Sequence, residues 1–182
     1  MVSGAGNDCL VGDGLANLLS SAAGSDTLSG GDGRDSLTGG DGNDRILGGA
    51  AADSLMGNAG DDTLAGGAAA DTLIGDSGAD YFIFDAAIGL GEIDLITGYS
   101  VAEDIILLED AMFTGIGTAG ILTAGAFRVG AAAADADDRI IFNSATGALL
   151  YDADGNGAGA AIQFATITSL VGTITHAEFL VV

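Results

Sequence analysis

A nine-residue period runs from Ser3 to Ile83 and constrains every fold that this chain can adopt. Nine consecutive copies begin at Ser3, Gly12, Ser21, Gly30, Gly39, Gly48, Gly57, Gly66 and Gly75. Position six is Asn17 in the second copy and aspartate in the other eight, which are Asp8, Asp26, Asp35, Asp44, Asp53, Asp62, Asp71 and Asp80. Position eight is apolar in all nine copies: Leu10, Leu19, Leu28, Leu37, Ile46, Leu55, Leu64, Leu73 and Phe82. A period of this kind indicates an array of stacked repeats.

Each part of the repeat predicts a local structure. The glycine-rich first half can adopt positive φ at low steric cost, so it is expected to turn tightly and expose its carbonyl groups. The carboxylate at position six supplies a hard, negatively charged oxygen, the ligand type that Ca²⁺ prefers. Positions seven to nine are expected to be extended, with one apolar side chain per copy pointing inward. Because one copy cannot bury its single apolar residue, the copies must stack on one another.

The repeat resembles the RTX (repeats-in-toxin) nonapeptide. Residues 30–38 and 39–47 are the clearest copies of the pattern Gly-Gly-x-Gly-x-Asp-x-apolar-x. The resemblance implies an all-β fold: a right-handed parallel β-roll (a β-solenoid) over residues 3–84, followed by a β-rich C-terminal cap over 85–182. In that family two copies make one turn of the roll, and several Ca²⁺ ions lie between loops eighteen residues apart.

The resemblance also implies a ligand set for each ion. The ligands are the carbonyls at positions two and four of one loop, those at positions one and three of the loop one turn later, and both aspartates. The first, third, fifth, seventh and ninth copies form one stack of loops, here called the odd column, and the other copies form the even column. The implied odd-column residues are Gly4, Gly6, Asp8, Ser21, Ala22, Ala23, Gly24, Asp26, Gly39, Gly40, Asp41, Gly42, Asp44, Gly57, Asn58, Ala59, Gly60, Asp62, Gly75, Ser77 and Asp80. The implied even-column residues are Gly31, Gly33, Asp35, Gly48, Gly49, Ala50, Ala51, Asp53, Gly66, Ala68 and Asp71.

The two columns differ at position four. It is glycine throughout the odd column, but Leu15, Gly33, Ala51 and Ala69 in the even column. A residue with a Cβ in a left-handed turn costs roughly 1 kcal/mol or more. We therefore expect about four good calcium sites in the odd column and about two or three weaker ones in the even column. The site between Asn17 and Asp35 should be the poorest, because it lacks one charge and one glycine.

The charge balance limits the partners of this chain. Its 26 acidic and 4 basic residues give a formal net charge of −22. Such a chain is not expected to bind nucleic acid, because neutralising phosphates requires lysine and arginine. A disordered chain is the simplest reading of this acidity, but 48% hydrophobic residues and the fixed spacing of the aspartates oppose it. Stacked carboxylates repel one another until cations neutralise them, so folding is expected to depend on Ca²⁺.

Residues beyond the repeats predict further strands. After a loop over residues 86–91, residues 92–107 are similar to the segment that follows the nonapeptides in many RTX proteins, and are expected to cover the open end of the roll. Residues 139–143 and 148–152 predict a hairpin, 161–167 a third strand and 126–129 a short one. Thr175 and Glu178 have capping-box spacing, which predicts a short helix.

One acidic loop has two readings. Asp152, Asp154 and Asn156 match the first ligand positions of an EF-hand loop, but Gln163 stands where a bidentate glutamate is expected. The segment is either a glycine-rich turn in which these side chains bond to the backbone, or an additional calcium site.

Catalysis, disulfides and membrane insertion find no support in the sequence. The single histidine, His176, leaves no metalloprotease motif of the His-Glu-x-x-His type, so this chain is predicted not to be an enzyme. Cys9 cannot form an intramolecular disulfide and is expected to point outward from position seven. No stretch reaches membrane-spanning length, and the N-terminus lacks the pattern of a general secretory signal.

The family resemblance implies a function. The end of the chain, residues 178–182, is similar to the tail of type I secretion substrates. We expect a secreted, extracellular bacterial module that binds calcium, folds outside the cell and interacts with the type I secretion machinery, with an attached upstream domain. The alternatives are the non-catalytic part of a secreted protease, lipase or polysaccharide epimerase, and a surface adhesin or surface-layer protein.

Overall fold

The computed structural model describes residues 1–89 and 92–182. Nine strands follow the nonapeptide repeats: β1 Cys9–Val11, β2 Leu18–Ser20, β3 Thr27–Asp32, β4 Ser36–Asp41, β5 Arg45–Ala50, β6 Ser54–Ala59, β7 Thr63–Gly67, β8 Thr72–Ser77 and β9 Tyr81–Phe84. Eight more follow: β10 Asp94–Thr97, β11 Ile105–Leu108, β12 Gly120–Ile121, β13 Phe127–Val129, β14 Ile140–Asn143, β15 Ala148–Tyr151, β16 Ile162–Thr168 and β17 Phe179–Val181. Short 3₁₀ helices span Ala124–Ala126 and His176–Glu178.

The strands form two sheets, and successive nonapeptide repeats contribute alternately to one sheet and to the other. One sheet has the order β1-β3-β5-β7-β9-β11-β17-β12, and the other has the order β13-β14-β15-β16-β10-β8-β6-β4-β2. Within the repeats each strand pairs in parallel with the strand two copies later, so that Leu28 faces Ile46 and Leu37 faces Leu55. This eighteen-residue register confirms the predicted parallel β-roll.

The apolar residue of each repeat fills the space between the two sheets. All nine position-eight side chains are at most 2% exposed. Their neighbours at positions seven and nine face away from this core, and Cys9 is exposed as expected. Burying one Leu or Ile contributes roughly 1.5–3 kcal/mol, so each added turn of the roll supplies two such contributions.

Both sheets continue beyond the nonapeptides. Strand β10 pairs in parallel with β8 and β16, and β11 pairs in parallel with β9 and β17. The core continues with them into an aromatic cluster, in which Phe113 makes edge contacts with Tyr151 and Phe164. The chain after the repeats therefore closes the end of the roll by extending its sheets.

Several local predictions for this region are confirmed. β14 and β15 form the predicted antiparallel hairpin, and β16 is its third strand. Thr175 and Glu178 form a capping box at a 3₁₀ helix. The predicted loop over 86–91 ends at residues 90 and 91, which lie outside the described residues.

Candidate metal centre

The position-six side chains form a hydrogen-bonded ladder along each column. In the odd column the backbone N–H of Asp26 donates to Oδ1 of Asp44 at 2.8 Å, and the N–H of Asp44 donates to Oδ1 of Asp62 at 2.8 Å. In the even column the N–H of Asp35 donates to Oδ1 of Asp53 at 2.7 Å, and that of Asp53 to Asp71 at 2.7 Å. Each accepting aspartate thereby fixes the loop one turn before it through one of its two oxygens.

The other carboxylate oxygen has no partner. Among the described residues, Oδ2 is buried without a hydrogen bond in Asp26, Asp35, Asp44, Asp53, Asp62, Asp71 and Asp80. A buried and unpaired carboxylate oxygen is costly, because it has lost water and gained nothing in return. Seven such atoms at one-turn spacing form a pattern that suits the binding of cations.

Backbone carbonyls converge on the same gaps between turns. A Cβ on Gly39 would overlap Oδ2 of Asp44 and lie 2.9 Å from the carbonyl oxygen of Gly57, one turn later. A Cβ on Gly42 would overlap the carbonyl oxygen of Gly24, one turn earlier. The even column repeats this arrangement, since a Cβ on Gly48 would lie 2.5 Å from both Oδ2 of Asp53 and the carbonyl oxygen of Gly66. The gaps are lined by carboxylate and carbonyl oxygens from neighbouring loops.

This set of donors fits Ca²⁺. Calcium takes six to eight oxygen ligands from carboxylates and backbone carbonyls in a flexible geometry. Among residues 1–89 and 92–182, no group of three or more His, Cys, Asp or Glu side chains could hold a metal by itself. A cation between the loops would therefore depend on carbonyls as much as on aspartates.

Burial raises the pKa values of the ladder carboxylates. It raises the pKa of Asp62 to about 7, opposed by the hydrogen bond from Asp44 N–H and assisted by the neighbouring charges of Asp80 and Asp44. For the same principal reason the pKa values of Asp53, Asp71 and Asp80 rise to about 6. Without a cation these carboxyl groups take up protons as the pH falls through about 7 and 6, so metal binding in that pH range would release protons.

The backbone of the loops confirms one part of the predicted column asymmetry. Ala51 and Ala69, at position four of the even column, have φ angles of 73° and 86°. The odd-column glycines at this position, such as Gly42 at 120° and Gly60 at 126°, adopt positive φ without a Cβ. The even column therefore carries the strain that its alanines predicted.

Two features of the loops differ from the sequence expectation. Leu15 was expected in a left-handed turn, and this is wrong. It is 70% exposed, its N–H donates to Oδ1 of Asp13, and Asn17 bonds to Asp13 in both directions, so this loop has its own geometry. In addition, Asn58 and Asp76 have positive φ at position two of the odd column. Strain is thus not confined to the even column, although Asn and Asp tolerate this region best among residues with a Cβ.

The ladders extend to two aspartates beyond the repeats. Asp71 N–H donates to Oδ1 of Asp94 at 2.9 Å, and Asp80 N–H donates to Oδ1 of Asp104 at 3.1 Å. Sequence reasoning placed both in covering strands and missed them as ladder members. The available signal was an aspartate two residues before a buried isoleucine, Ile96 or Ile106, which is the spacing of positions six and eight.

Asp104 ends its column differently from the members inside it. Its Oδ2 accepts a bond from Ser100 N–H at 2.8 Å. The carbonyl oxygen of Tyr99, five residues before it, accepts from Val171 N–H at 2.8 Å. Protein donors thus satisfy the carboxylate and a carbonyl at the end of the odd column.

The EF-hand-like segment shows the bonding of a turn. Asp154 N–H donates to Oδ1 of Asp152 at 3.2 Å, and Gly159 N–H donates to Oδ2 of Asp154 at 3.0 Å. Asn156 N–H bonds to the carbonyl of Asp135 in a neighbouring acidic loop. The side chains of Asp152 and Asp154 therefore already bond to the backbone, as the turn reading requires.

Comparisons with known proteins identify the repeats. A family model of four RTX calcium-binding nonapeptide repeats matches residues 20–55, 47–82 and 56–90. Residues 20–90 are RTX calcium-binding nonapeptide repeats. Among solved structures, the AlgE6R3 subunit of the Azotobacter vinelandii mannuronan C5-epimerase matches with 27% identity and a TM-score of 0.49, covering 81% of this chain and 77% of that chain. A search of curated proteins finds no match.

In the described residues, the helices that accompany the strands are short 3₁₀ helices. None of the helices there is long and apolar enough to cross a membrane.

Proposed function

We propose that this RTX chain is a calcium-triggered folding module of a secreted bacterial protein. Its Ca²⁺ ions lie between loops one turn apart, held by the ligands predicted above: the two ladder aspartates and the carbonyls at positions one to four. The observation that carries the proposal is the series of seven buried Oδ2 atoms without a partner.

Calcium supplies positive charge between the buried carboxylates of the folded chain. In the absence of metal, folding must bury like-charged carboxylates next to one another, which favours the unfolded chain. Bound ions supply positive charge and coordinate the unpaired oxygens, so the free energy of binding becomes free energy of folding. Affinities of roughly 10⁻⁴ to 10⁻³ M, typical of extracellular calcium modules, would keep the chain unfolded in the cytosol and folded outside.

The position of the C-terminal tail supports the proposal that export precedes folding. In the folded chain Phe179–Val181 is strand β17, which lies between β11 and β12, with Phe179 and Val181 buried. A type I export signal in residues 178–182 would therefore be accessible before folding and covered afterwards. The secretion machinery would read the unfolded chain, and calcium would then fold it outside the cell.

Circular dichroism during a Ca²⁺ titration from EDTA tests the folding switch. The β signal should rise cooperatively with calcium and fall again when a chelator is added. Mg²⁺ is a suitable control, because its small octahedral site suits these carbonyl-rich loops poorly, and it should produce little signal. A chain that is compact and β-rich in EDTA would contradict the proposal.

Export needs a separate test. The full chain and a chain lacking residues 178–182 are expressed in cells that carry a type I secretion system, and the protein in the medium is measured by denaturing immunoblot. The full chain should be exported and the truncated chain retained. Equal export of both would remove the tail from the proposal and leave the calcium switch intact.

A further inference from the structure

The outer face of the eight-stranded sheet carries an aliphatic row that the calcium sites do not use. Six aliphatic residues lie side by side across successive strands: Leu47, Ala65, Ile83, Leu107, Leu180 and Ile121. Ser29 and Val11 continue the line to the other edge of the sheet. This outer row therefore crosses all eight strands and contains no charged residue.

Strand alternation turns the row away from the core. The residues just before Leu47, Ile83 and Leu107 are fully buried, so these three point to the opposite face. Val11 and Ile121, at the two ends, are 62% and 64% exposed. The larger members between them are half-buried and lie outside the core cluster, whereas Ala65 is 4% exposed. An aliphatic row on a chain with a charge of −22 is an unexpected surface.

The corresponding row on the other sheet is different. Its six members, in register, are Ser20, Thr38, Met56, Ile74, Thr97 and Thr168. Four of the six carry hydroxyl groups, and Thr97 and Thr168 bond to each other. The repeat period alone does not impose an apolar outer face, because one sheet lacks it.

We propose that the outer row is the interface through which two copies of this chain associate. The row crosses seven parallel strands and the antiparallel edge strand β12, so its complement is the face of another sheet packed about 10 Å away. A two-fold axis pairs the row with itself, with Ile121 of one copy toward Val11 of the other. The aliphatic side chains of the outer row then meet in the middle, while Arg45 of the neighbouring row and the acidic loops of both copies lie beside them.

The size of the surface is sufficient for a weak dimer. Eight strands about 4.8 Å apart span about 34 Å, and two rows of side chains are about 14 Å wide. The second row is mixed, and contains Cys9, Thr27, Arg45, Thr63, Tyr81 and Ile105. The contact is then about 500 Å² per copy, or about 1,000 Å² in total, the lower end of specific interfaces. An anionic lipid surface is a poor alternative occupant, because it would repel this acidic chain.

Analytical ultracentrifugation in saturating Ca²⁺ tests the interface, over two decades of protein concentration. The wild-type chain should show a reversible monomer–dimer equilibrium. Leu47→Lys combined with Ile83→Lys should weaken dimerisation at least ~10-fold, since it places charges at the centre of the interface. The matched control, Met56→Lys combined with Ile74→Lys on the other sheet, should leave the dissociation constant within about twofold.

Circular dichroism of each variant in Ca²⁺ separates loss of association from loss of folding. If the central pair does not fold, Val11→Lys with Ile121→Lys replaces it, because both side chains are largely exposed. A wild-type chain that folds with calcium but stays monomeric overturns the dimer and leaves the proposed calcium function untouched. Equal weakening by the control pair also overturns it.

Discussion

The odd and even columns use the same carboxylate ladder on different backbones. In both, an aspartate N–H within the repeats donates to the aspartate one turn later at 2.7 to 2.9 Å, and the second oxygen of the accepting aspartate has no hydrogen bond. The odd column turns on glycine at position four, whereas the even column places Ala51 and Ala69 at positive φ. In the proposed calcium sites the ladder would fix where a cation binds, whereas the loop backbone would set the free-energy cost of forming the site.

The largest effect is expected from removing a charge inside the odd ladder. Asp44→Asn keeps an oxygen for the ladder bond but removes the charge of a buried carboxylate. It should raise the calcium concentration at half-folding at least ~10-fold, because two neighbouring sites lose a ligand. The matched control is Asp61→Asn, an exposed aspartate, which should shift the midpoint by less than about twofold. A calcium titration by circular dichroism measures both.

The same change in the even column should have a smaller effect. Asp53 is bonded to its neighbours as Asp44 is, but its loop contains the strained Ala51. If even-column sites are weaker, Asp53→Asn should raise the midpoint by roughly 3- to 5-fold. The two variants are compared in parallel titrations. Equal shifts would be consistent with the calcium switch but would contradict the predicted difference in affinity between the columns.

Asp104 should affect stability without changing the number of bound ions. Asp104→Asn can still accept from Asp80 N–H, but its amide nitrogen cannot accept from Ser100 N–H. Leaving that N–H unpaired should cost about 1–3 kcal/mol in unfolding free energy. Isothermal titration calorimetry should give the wild-type stoichiometry, and the loss of one ion would show that Asp104 ligates metal.

Relieving the strain in the even column should produce a modest gain. Ala51→Gly removes a Cβ from a left-handed residue and should stabilise the calcium-bound chain by about 0.5–1 kcal/mol. Ala50→Gly is the control. Because Ala50 is not at positive φ, this change relieves no strain and only increases the conformational entropy of the unfolded chain. Thermal melts in Ca²⁺ compare them, and a stabilising control would point to a cause other than strain.

The smallest effect is expected at Leu15. Because Leu15 is not left-handed in the structure, Leu15→Gly has no strain to relieve. The free energy of unfolding should differ from that of the wild-type chain by less than about 0.5 kcal/mol, as expected for an exposed loop residue. A gain as large as that of Ala51→Gly would mean that this loop adopts the common geometry after all.

Much of the roll could be predicted because its information is local and repeated. Nine buried residues at position eight, Asp at position six and glycine before it recur with one period, and stacking is the one way to bury them together. The covering strands were predicted from alternation, but their ladder residues were not. Neither Asp94 nor Asp104 follows the full Gly-Gly-x-Gly pattern. The spacing to Ile96 and Ile106 was therefore a weak signal, and the pairing of β10 with β8 and of β11 with β9 identifies them.

The sequence by itself determined the repeat, its period, the inward row of apolar residues and the oxygen chemistry of the loops. These properties depend on residues close together in the chain, where side-chain type and backbone preference are decisive. The tertiary structure alone decided which oxygens remain unpaired, how the ladders end, how the loop of Leu15 turns and which sheet exposes an aliphatic row. Those depend on contacts between residues eighteen or more positions apart, and only the folded register brings such residues together.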